Sequence, residues 1–314
     1  MLAGMVQGQV RAGVWLALAL VAGGCTTGLP IRSALEGPER YGATARSVEV
    51  DGARVVYTVE GPVDGPAVLL IHPWAGSLRV WDAIAPALSA GRRVIRLDLP
   101  GHGASDKPDV AYGVPLGVRA ARAVLDDLGL ERASVVGNSL GGAVALALVR
   151  DHPERVERLV LIDALGGGPV PGLFAWGITT YFTGPLFHAV DDGLVTWFAD
   201  AFVFEESGRW TDAFLAQLLS ERAGPDGWRF SRAVARYLRA ATEFDATPWL
   251  GAIAAPTLVV WGEGDIVIGE GAGERLARGI PGARLAVLED CGHMPEVDCP
   301  GALRPLLEAF LAAP

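Results

Sequence analysis

Stretches whose apolar positions have the spacing of a strand alternate along the chain with stretches whose apolar positions have the spacing of a helix. Residues 47–50 and 54–59 alternate residue by residue around Asp51-Gly52, which predicts a β-hairpin. Six later runs are mainly apolar, as expected of strands inside a parallel sheet: 67–71, 94–97, 133–137, 156–162, 257–261 and 284–288. Helical spacing occupies 78–88, 118–128, 140–151 and 302–311. This order predicts an α/β fold in which helices flank a mostly parallel eight-stranded sheet.

The alternation of strands and helices stops once, between residue 166 and about residue 247. This stretch opens with glycines and prolines at 166–171, is rich in Trp, Phe and Tyr, and contains no run typical of a buried strand. We therefore predict a helical cap over 166–247 and a core made of 46–165 and 248–314. Open α/β sheets bind ligands at the carboxyl edge of their strands, so the cap is expected to cover that edge. Most of its aromatic residues should form its own core, and a minority should line an apolar pocket.

The first 25 residues have a different pattern. Residues 14–22 are apolar but too short to span a bilayer core of about 30 Å, which favours a signal peptide over 1–25. The small residues before Cys25 resemble a bacterial lipoprotein signal, in which that cysteine is lipidated. Simple cleavage near Gly24 is the alternative. Residues 26–45 are predicted to be a tether. The expected location is a lipid anchor in the bacterial cell envelope, on the periplasmic side; a soluble periplasmic or secreted protein is the alternative.

The composition narrows the possible partners. A net charge of −10, from 36 acidic and 26 basic residues, supplies no basic stripe, and nucleic acid is therefore not expected as a partner. A hydrophobic content of 51% in 314 residues is sufficient for one large core or two modest ones.

Export would permit a disulfide between Cys291 and Cys299. Two unpaired thiols remain the alternative.

The join between strand 133–137 and helix 140–151 carries a reactive-serine pattern. Gly137-Asn138-Ser139-Leu140-Gly141 fits G-x-S-x-G, in which a sharp strand-to-helix turn exposes the serine. Glycine is needed two residues away on either side, because a side chain there would collide with the neighbouring backbone. The helix that begins at Leu140 also directs free N–H groups at the hydroxyl. Taken alone, the pattern also fits an ordinary Gly-Ser-Gly turn.

One of the five histidines follows the last predicted strand. His293 lies there, where a loop can carry it over the carboxyl edge of the sheet, so we expect it to be the base that serves Ser139. The other four lie in turns after earlier strands, at a helix end or in the cap: His72, His102, His152 and His188.

A base of this kind needs a carboxylate to fix its tautomer. Asp265 follows strand 257–261 and gives the order Ser, Asp, His that is expected for this architecture. Asp163, at the end of strand 156–162, and Glu263 are the alternative acids.

Five motifs extend the pattern along the chain: His72-Pro73-Trp74, the run 97–105, the run 137–142, the run 261–265 and Gly292-His293-Met294-Pro295-Glu296. With these motifs in this order, the segment from about 48 to 311 resembles the α/β-hydrolase superfamily, in particular its single-chain serine hydrolases with a helical lid. The resemblance implies Ser139 as nucleophile, His293 as base and Asp265 as the orienting acid. It also implies an oxyanion hole made by the N–H groups of Leu140 and Trp74. Pro73 departs from the family, which usually has glycine after this histidine.

The expected reaction is hydrolysis through an acyl-enzyme on Ser139. The substrate would be small and largely apolar, with an ester, lactone, thioester or amide bond; the expected type is a carboxylic-ester hydrolase, without metal or cofactor. Asn138 beside Ser139 is also seen in enzymes that resemble carbon–carbon bond hydrolases, so such an enzyme, or an aminopeptidase-like relative, is the alternative. A catalytically silent ligand-binding receptor on the same fold is the non-enzyme alternative.

Overall fold

The computed structural model describes residues 41–42, 44–168, 183–205, 207–268 and 271–312. The predicted signal peptide, Cys25 and most of the predicted tether lie outside these residues. Eight strands are present in chain order: β1 Ala45–Val50, β2 Ala53–Glu60, β3 Ala67–Ile71, β4 Arg93–Leu97, β5 Ala133–Asn138, β6 Val156–Ile162, β7 Thr257–Gly262 and β8 Arg284–Leu288.

These strands form one sheet in the order β1-β2-β4-β3-β5-β6-β7-β8. β1 pairs with β2, and β2 with β4, in antiparallel fashion, whereas all the other pairs are parallel. The predicted eight-stranded, mostly parallel sheet is confirmed. From β3 the chain passes to β4 on one side and then to β5 on the other. The space above β3 and β5 is therefore the point where the strand order reverses, which is where open sheets form a binding crevice.

Six helices of the core flank this sheet: α1 Ala85–Leu88, α2 Val114–Asp127, α3 Leu140–Asp151, α8 Ala272–Gly279, α9 Pro295–Asp298 and α10 Pro300–Ala312. Helical spacing was predicted over 78–88, but this stretch does not form one continuous helix. A 3₁₀ turn over Leu78–Trp81 is followed by the separate helix α1, whose first turn contains Pro86. Proline has no N–H to donate to the preceding turn and its ring crowds that turn, which disfavours a continuous helix through this position.

Successive residues of the central strands enter two different layers. Leu69 of β3 belongs to the apolar layer formed with α2, α3 and α8, where Leu125, Leu146 and Leu276 are buried. Its neighbour Leu70 belongs to the opposite layer, with Trp81 and Leu307. This alternation is the two-residue period of a strand buried on both faces, and it explains why these runs are continuously apolar.

Within the described residues, four further helices lie between β6 and β7: α4 Gly184–Ala189, α5 Asp192–Phe202, α6 Arg209–Ala223 and α7 Gly227–Ala241. We call them the cap helices; the predicted boundaries 166–247 remain a prediction, since 169–182 lie outside the described residues. The indole Nε1 of Trp74 donates to the carbonyl of Val234 in α7 at 2.7 Å, which joins the cap helices to the loop after β3. None of the helices in the described part of the chain combines the length and apolar character needed to cross a membrane.

Candidate active site

Ser139 occupies the turn between β5 and α3 with φ of 50° and ψ of −111°, a left-handed conformation that is strained for serine. A Cβ atom on Gly137 would lie 2.3 Å from the carbonyl oxygen of Gly141. A Cβ atom on Gly141 would lie 2.2 Å from the carbonyl oxygen of Ile71 in β3. Both glycines are therefore required by backbone contact, as the sequence pattern predicted.

The loop after β3 packs directly against the first turn of α3. Besides Ile71, the carbonyl oxygen of His72 is also close to Gly141, 2.8 Å from the position of a Cβ atom there. The loop then turns through Ala75, with φ of 57°, and the N–H of Gly76 donates to the carbonyl of Pro73 at 3.2 Å. Leu140 is the first residue of α3, a position whose N–H has no acceptor within the helix. The two segments that carry the predicted oxyanion donors, Leu140 and Trp74, are thus in contact; the role of these donors remains a prediction.

His293 and Asp265 form a buried hydrogen-bonded pair. The imidazole Nδ1 lies 3.0 Å from Oδ2 of Asp265, whose side chain is fully buried. The other oxygen, Oδ1, accepts from the N–H groups of Val267 at 2.8 Å and Ile268 at 3.2 Å. Burial acts to raise the pKa of Asp265, but the charge of His293, its hydrogen bond and the two amides outweigh it and hold this pKa below the usual value. An ionised Asp265 fixes the proton on Nδ1 and leaves Nε2 as the basic nitrogen.

The backbone of His293 is fixed from two sides. Its N–H donates to the carbonyl of Val203, which follows cap helix α5, at 2.8 Å. Its carbonyl accepts from Nδ2 of Asn138 at 3.1 Å, and the same amide donates to Ile162 at the end of β6. Because Asn138 precedes Ser139, it connects the loop of the predicted base to the turn of the predicted nucleophile.

A disulfide encloses the loop that carries His293. Cys291 and Cys299 are bonded, with Cα atoms 5.7 Å apart, so the structure contains the bridge and not the unpaired thiols. Inside this loop, Oδ2 of Asp298 accepts from the N–H of Gly292 at 2.6 Å and from the N–H of Glu205, which follows the cap helix α5, at 3.0 Å. The predicted base is therefore held both by the core and by the cap.

The structure separates the candidate acids. Glu263 is exposed, whereas Asp163 is fully buried beside Asp265. Burial, followed by the charge of Asp265, raises the pKa of Asp163 well above its ordinary value, despite a 2.9 Å hydrogen bond from the N–H of Gly262. Glu296 is also fully buried, and burial raises its pKa to about 8. The acid that contacts His293 is Asp265, as predicted from the order of the motifs.

The remaining histidines have other surroundings. His72 is buried, with Nδ1 2.7 Å from the carbonyl of Pro73 and Nε2 accepting from the N–H of Leu99 at 3.0 Å; burial lowers its pKa to about 4. The ring of His102 lies beside it at a tilt of 58°, with the ring centroids 5.0 Å apart, and burial lowers the pKa of His102 as well. His152 follows the last turn of α3, a helix of 12 residues and so about 18 Å long, and lies at the end remote from Ser139. His188 is in cap helix α4, against Trp228.

Apolar side chains of the cap helices cover the loop after β3. Ala75 of this loop packs in one buried cluster with Phe187, Leu218, Phe230 and Val234 of the cap helices. The rings of Trp74 and Phe187 are 5.8 Å apart. The surface next to the predicted oxyanion donors is therefore apolar and aromatic.

A family model described as the alpha/beta hydrolase fold matches residues 66–218 and 230–298. The chain belongs to the α/β-hydrolase family. The match covers strands β3 to β8, most of the cap helices and the loops of Ser139, Asp265 and His293 in this hydrolase.

Three relatives show the range of activities among similar α/β hydrolases. A 2-hydroxy-6-oxononadienedioate/2-hydroxy-6-oxononatrienedioate hydrolase of Klebsiella pneumoniae is 31% identical over 294 residues, 88% of this chain and 98% of the relative. The solved structure of Est816, an N-acyl homoserine lactone degrading enzyme, is 30% identical, with a TM-score of 0.72, and the match covers 84% of this chain and all of the other. The structure of a bacterial membrane phospholipase A is 27% identical, with a TM-score of 0.73, over 99% of this chain and 96% of the other.

Several residues that shape this site of the α/β hydrolase were not predicted. Val203 contributes a backbone carbonyl, and any residue type can supply one, so the sequence carries no signal for it. Asn138 was noted only as a family marker, although an amide with two donors before the serine is suited to joining two loops. Asp163 was predicted only as an alternative acid, and the buried position of Glu296 could be suspected only from the apolar residues around it.

Proposed function

We propose that this α/β hydrolase cleaves a carbon–carbon bond next to a ketone, with Ser139 as nucleophile, His293 as base and Asp265 as the orienting acid. The observation that carries the proposal is the 31% identity to the Klebsiella pneumoniae hydrolase over nearly the full length of both chains. A 2-hydroxy-6-oxo dienedioate contains no ester or amide bond, so its hydrolysis must break a carbon–carbon bond. The sequence motifs favoured ester-like cleavage first; the relatives support the carbon–carbon alternative better.

The arrangement of side chains suits this chemistry. In the proposed reaction, His293 takes the proton of Ser139 as its oxygen adds to the ketone carbon, and the N–H groups of Leu140 and Trp74 stabilise the oxyanion. Collapse of this intermediate breaks the carbon–carbon bond. The 2-hydroxydiene must first tautomerise to its 2-oxo form, which moves the hydroxyl proton to the carbon next to the ketone. The electron pair of the broken bond is then delocalised into the 2-oxo group, and His293 returns its proton to this enolate fragment. Water then releases the acyl group as a carboxylic acid and restores Ser139.

The cap helices favour a substrate with an apolar acyl group. Phe187 and Phe230 cover the loop of the oxyanion donors. Two arginines of these helices are already paired with aspartates, Arg222 with Asp192 at 2.8 Å and Arg232 with Asp109 at 2.9 Å. Their charge is compensated, so we propose a substrate with fewer carboxylates than the dicarboxylate in the relative's name.

Cleavage of an ester or lactone is the second candidate. It is favoured by the 30% identity to the lactone-degrading Est816 over 84% of this chain. The acyl-enzyme would be the same; only the leaving atom, oxygen in place of carbon, would differ.

A matched pair of substrates tests the two candidates. 2-Hydroxy-6-oxo-6-phenylhexa-2,4-dienoate and p-nitrophenyl benzoate both transfer a benzoyl group to Ser139, so kcat/KM compares leaving groups alone. The proposal predicts rapid release of benzoate from the dienoate and loss of this reaction in Ser139→Ala. If only the ester were cleaved, the second candidate would replace the first.

We also infer that the chain is exported and anchored by lipid at Cys25. The apolar run 14–22 and the small residues before Cys25 support this, as does the similarity to a membrane phospholipase A over 99% of the chain. In a bacterial host, globomycin should block processing of the full chain, and Cys25→Ser should move the protein from the membrane to the soluble fraction. An unchanged membrane fraction in Cys25→Ser would exclude the lipid anchor.

A further inference from the structure

A second carboxyl group lies beside the predicted base. Asp163 and Asp265 follow the neighbouring strands β6 and β7, so both side chains project at the same edge of the sheet. One oxygen of each carboxyl and a ring nitrogen of His293 lie within 4.8 Å of one another. His293 thus has one acid in hydrogen-bond contact and another close by.

Asp163 is only partly held in its present position. Its Oδ1 accepts from the N–H of Gly262 at 2.9 Å, whereas no N–H or O–H group in the part of the chain that the structure describes donates to its buried Oδ2, and a proton on Asp163 is shared with the Asp265 carboxylate. An oxygen of Asp163 lies no more than 4.8 Å from a ring nitrogen of His293, so a shift of at most about 2 Å, which a side-chain rotation can supply, brings the two to a hydrogen-bond length of about 2.9 Å. Gly262 can stay bonded to Oδ1 during a small rotation.

The hydrogen-bond donors and charges around the two carboxyl groups favour different protonation states. Two buried carboxylates at this separation cannot both be ionised at low cost, so one of them keeps a proton. Asp265 has two amide donors and His293 to stabilise its charge, while Asp163 has a single amide and faces both Asp265 and the buried Glu296. The proton therefore stays on Asp163 as long as Asp265 is ionised.

We propose that Asp163 is a second acid for His293: a positioning residue that is protonated beside an ionised Asp265 and replaces it as hydrogen-bond acceptor when Asp265 carries no charge. Without the negative charge of Asp265, Asp163 loses its proton to solvent more readily. Its free oxygen then accepts from Nδ1 of His293 and stabilises the imidazolium that forms when Ser139 gives up its proton. This inference rests on the proposed function.

Four variants of the full chain test the proposal: Asp265→Asn, Asp163→Asn, the double variant, and the exposed control Glu263→Gln. Asparagine at 163 keeps an oxygen for the N–H of Gly262. The readouts are kcat on a substrate that the wild type cleaves and the rate at which a fluorophosphonate modifies Ser139. Loss of the orienting acid lowers kcat about 10⁴-fold in a serine triad in which no second acid can replace it. We expect a loss of about 10²-fold in Asp265→Asn, less than tenfold in Asp163→Asn, about 10⁴-fold in the double variant, and no change in Glu263→Gln.

The pH dependence of kcat and of the modification rate distinguishes a positioning role of Asp163 from a merely structural one. In Asp265→Asn, both rates should rise with pH as Asp163 ionises, and the double variant should lack this step; Glu296 and His293 are the other titrating groups that face Asp163. A 10⁴-fold loss in Asp265→Asn alone would overturn the proposal, and this result does not require Asp163→Asn to fold. Failure of the proposed function is distinct, because the wild type would then leave the dienoate intact, whereas the fluorophosphonate rates and the turnover of an ester would still report on Asp163.

Discussion

At the scale of single residues, the position of the Ser139 hydroxyl depends on two glycines that leave no room for a side chain. Its φ of 50° is a strained conformation, which persists only because the surrounding backbone fixes it. Gly141 contacts the end of β3, and this close contact leaves no room for a side chain at 141. The same contact holds the loop after β3, which carries Trp74, against α3.

Gly141→Ala should therefore abolish activity and destabilise the protein. Its Cβ atom would meet the carbonyl of Ile71 at 2.2 Å, and an overpacked site of this kind costs at least about 1–3 kcal/mol. Gly91→Ala is the matched control, because no atom lies within 4 Å of a Cβ atom there. Denaturant unfolding and the turnover of a substrate that the wild type cleaves measure both variants. Equal stability of the two variants would show that the turn at Ser139 can relax.

The buried Glu296 should make stability depend on pH. Its pKa in the folded protein is about 8, above the ordinary 4.5, so between these values the unfolded chain releases a proton that the folded chain retains. Wild-type stability should fall through this window relative to Glu296→Gln, by about 1.4 kcal/mol per pH unit and about 3–5 kcal/mol in all.

Denaturant unfolding of both proteins at pH 4.5 and pH 8 measures this difference. The other titrating groups cancel in the comparison. A stability difference that stays constant across the two pH values would contradict the raised pKa of Glu296.

The residues of the candidate site could be predicted where the chemistry demands a particular type. Ser139 and the Asp265–His293 pair follow from motifs, and the structure brings the latter two into hydrogen-bond contact. Their catalytic roles remain predictions. Val203 could not be predicted, because it acts through its backbone and any residue type supplies the same carbonyl.

At the scale of elements, the loop between β8 and α10 determines where the base lies. The disulfide between Cys291 and Cys299 closes this loop around His293. In the chain-entropy model, a bridge over so short a loop stabilises by roughly 2.5 kcal/mol.

Cys291→Ala with Cys299→Ala should therefore lower the free energy of unfolding by about 2–3 kcal/mol. Activity should fall further than the folded fraction does, because the freed loop no longer fixes His293. Urea unfolding and turnover at a temperature where both proteins are folded measure the two effects. The wild type treated with reductant should behave like the double variant, and identical unfolding midpoints for the variant and the untreated wild type would refute the role of the bridge.

The central strands were predictable because both faces of each are buried, which makes them short apolar runs. The stretch 78–88 was misjudged because its apolar spacing is helical while Pro86 interrupts the hydrogen bonds. Helix α8 was not predicted at all. It buries only Ala272, Gly273 and Leu276, too few apolar positions for a clear pattern.

At the scale of the whole molecule, the site exists only because the sheet orders its strands as β3-β5-β6-β7-β8. Ser139, Asp265 and His293 follow β5, β7 and β8, and parallel pairing brings these ends to one edge. Strand order depends on long-range pairing, which local patterns do not determine, and no strand order was predicted from the sequence. The cap helices then add Val203 as a second support for the base.

The most direct measurement of this convergence is the site and rate of modification by a fluorophosphonate. The full chain should gain one adduct, on the peptide that contains Ser139, and Ser139→Ala should gain none. His293→Ala should react at least about 10³-fold more slowly, since the hydroxyl loses its base. An adduct on another residue, or equal rates for the wild type and His293→Ala, would contradict the account.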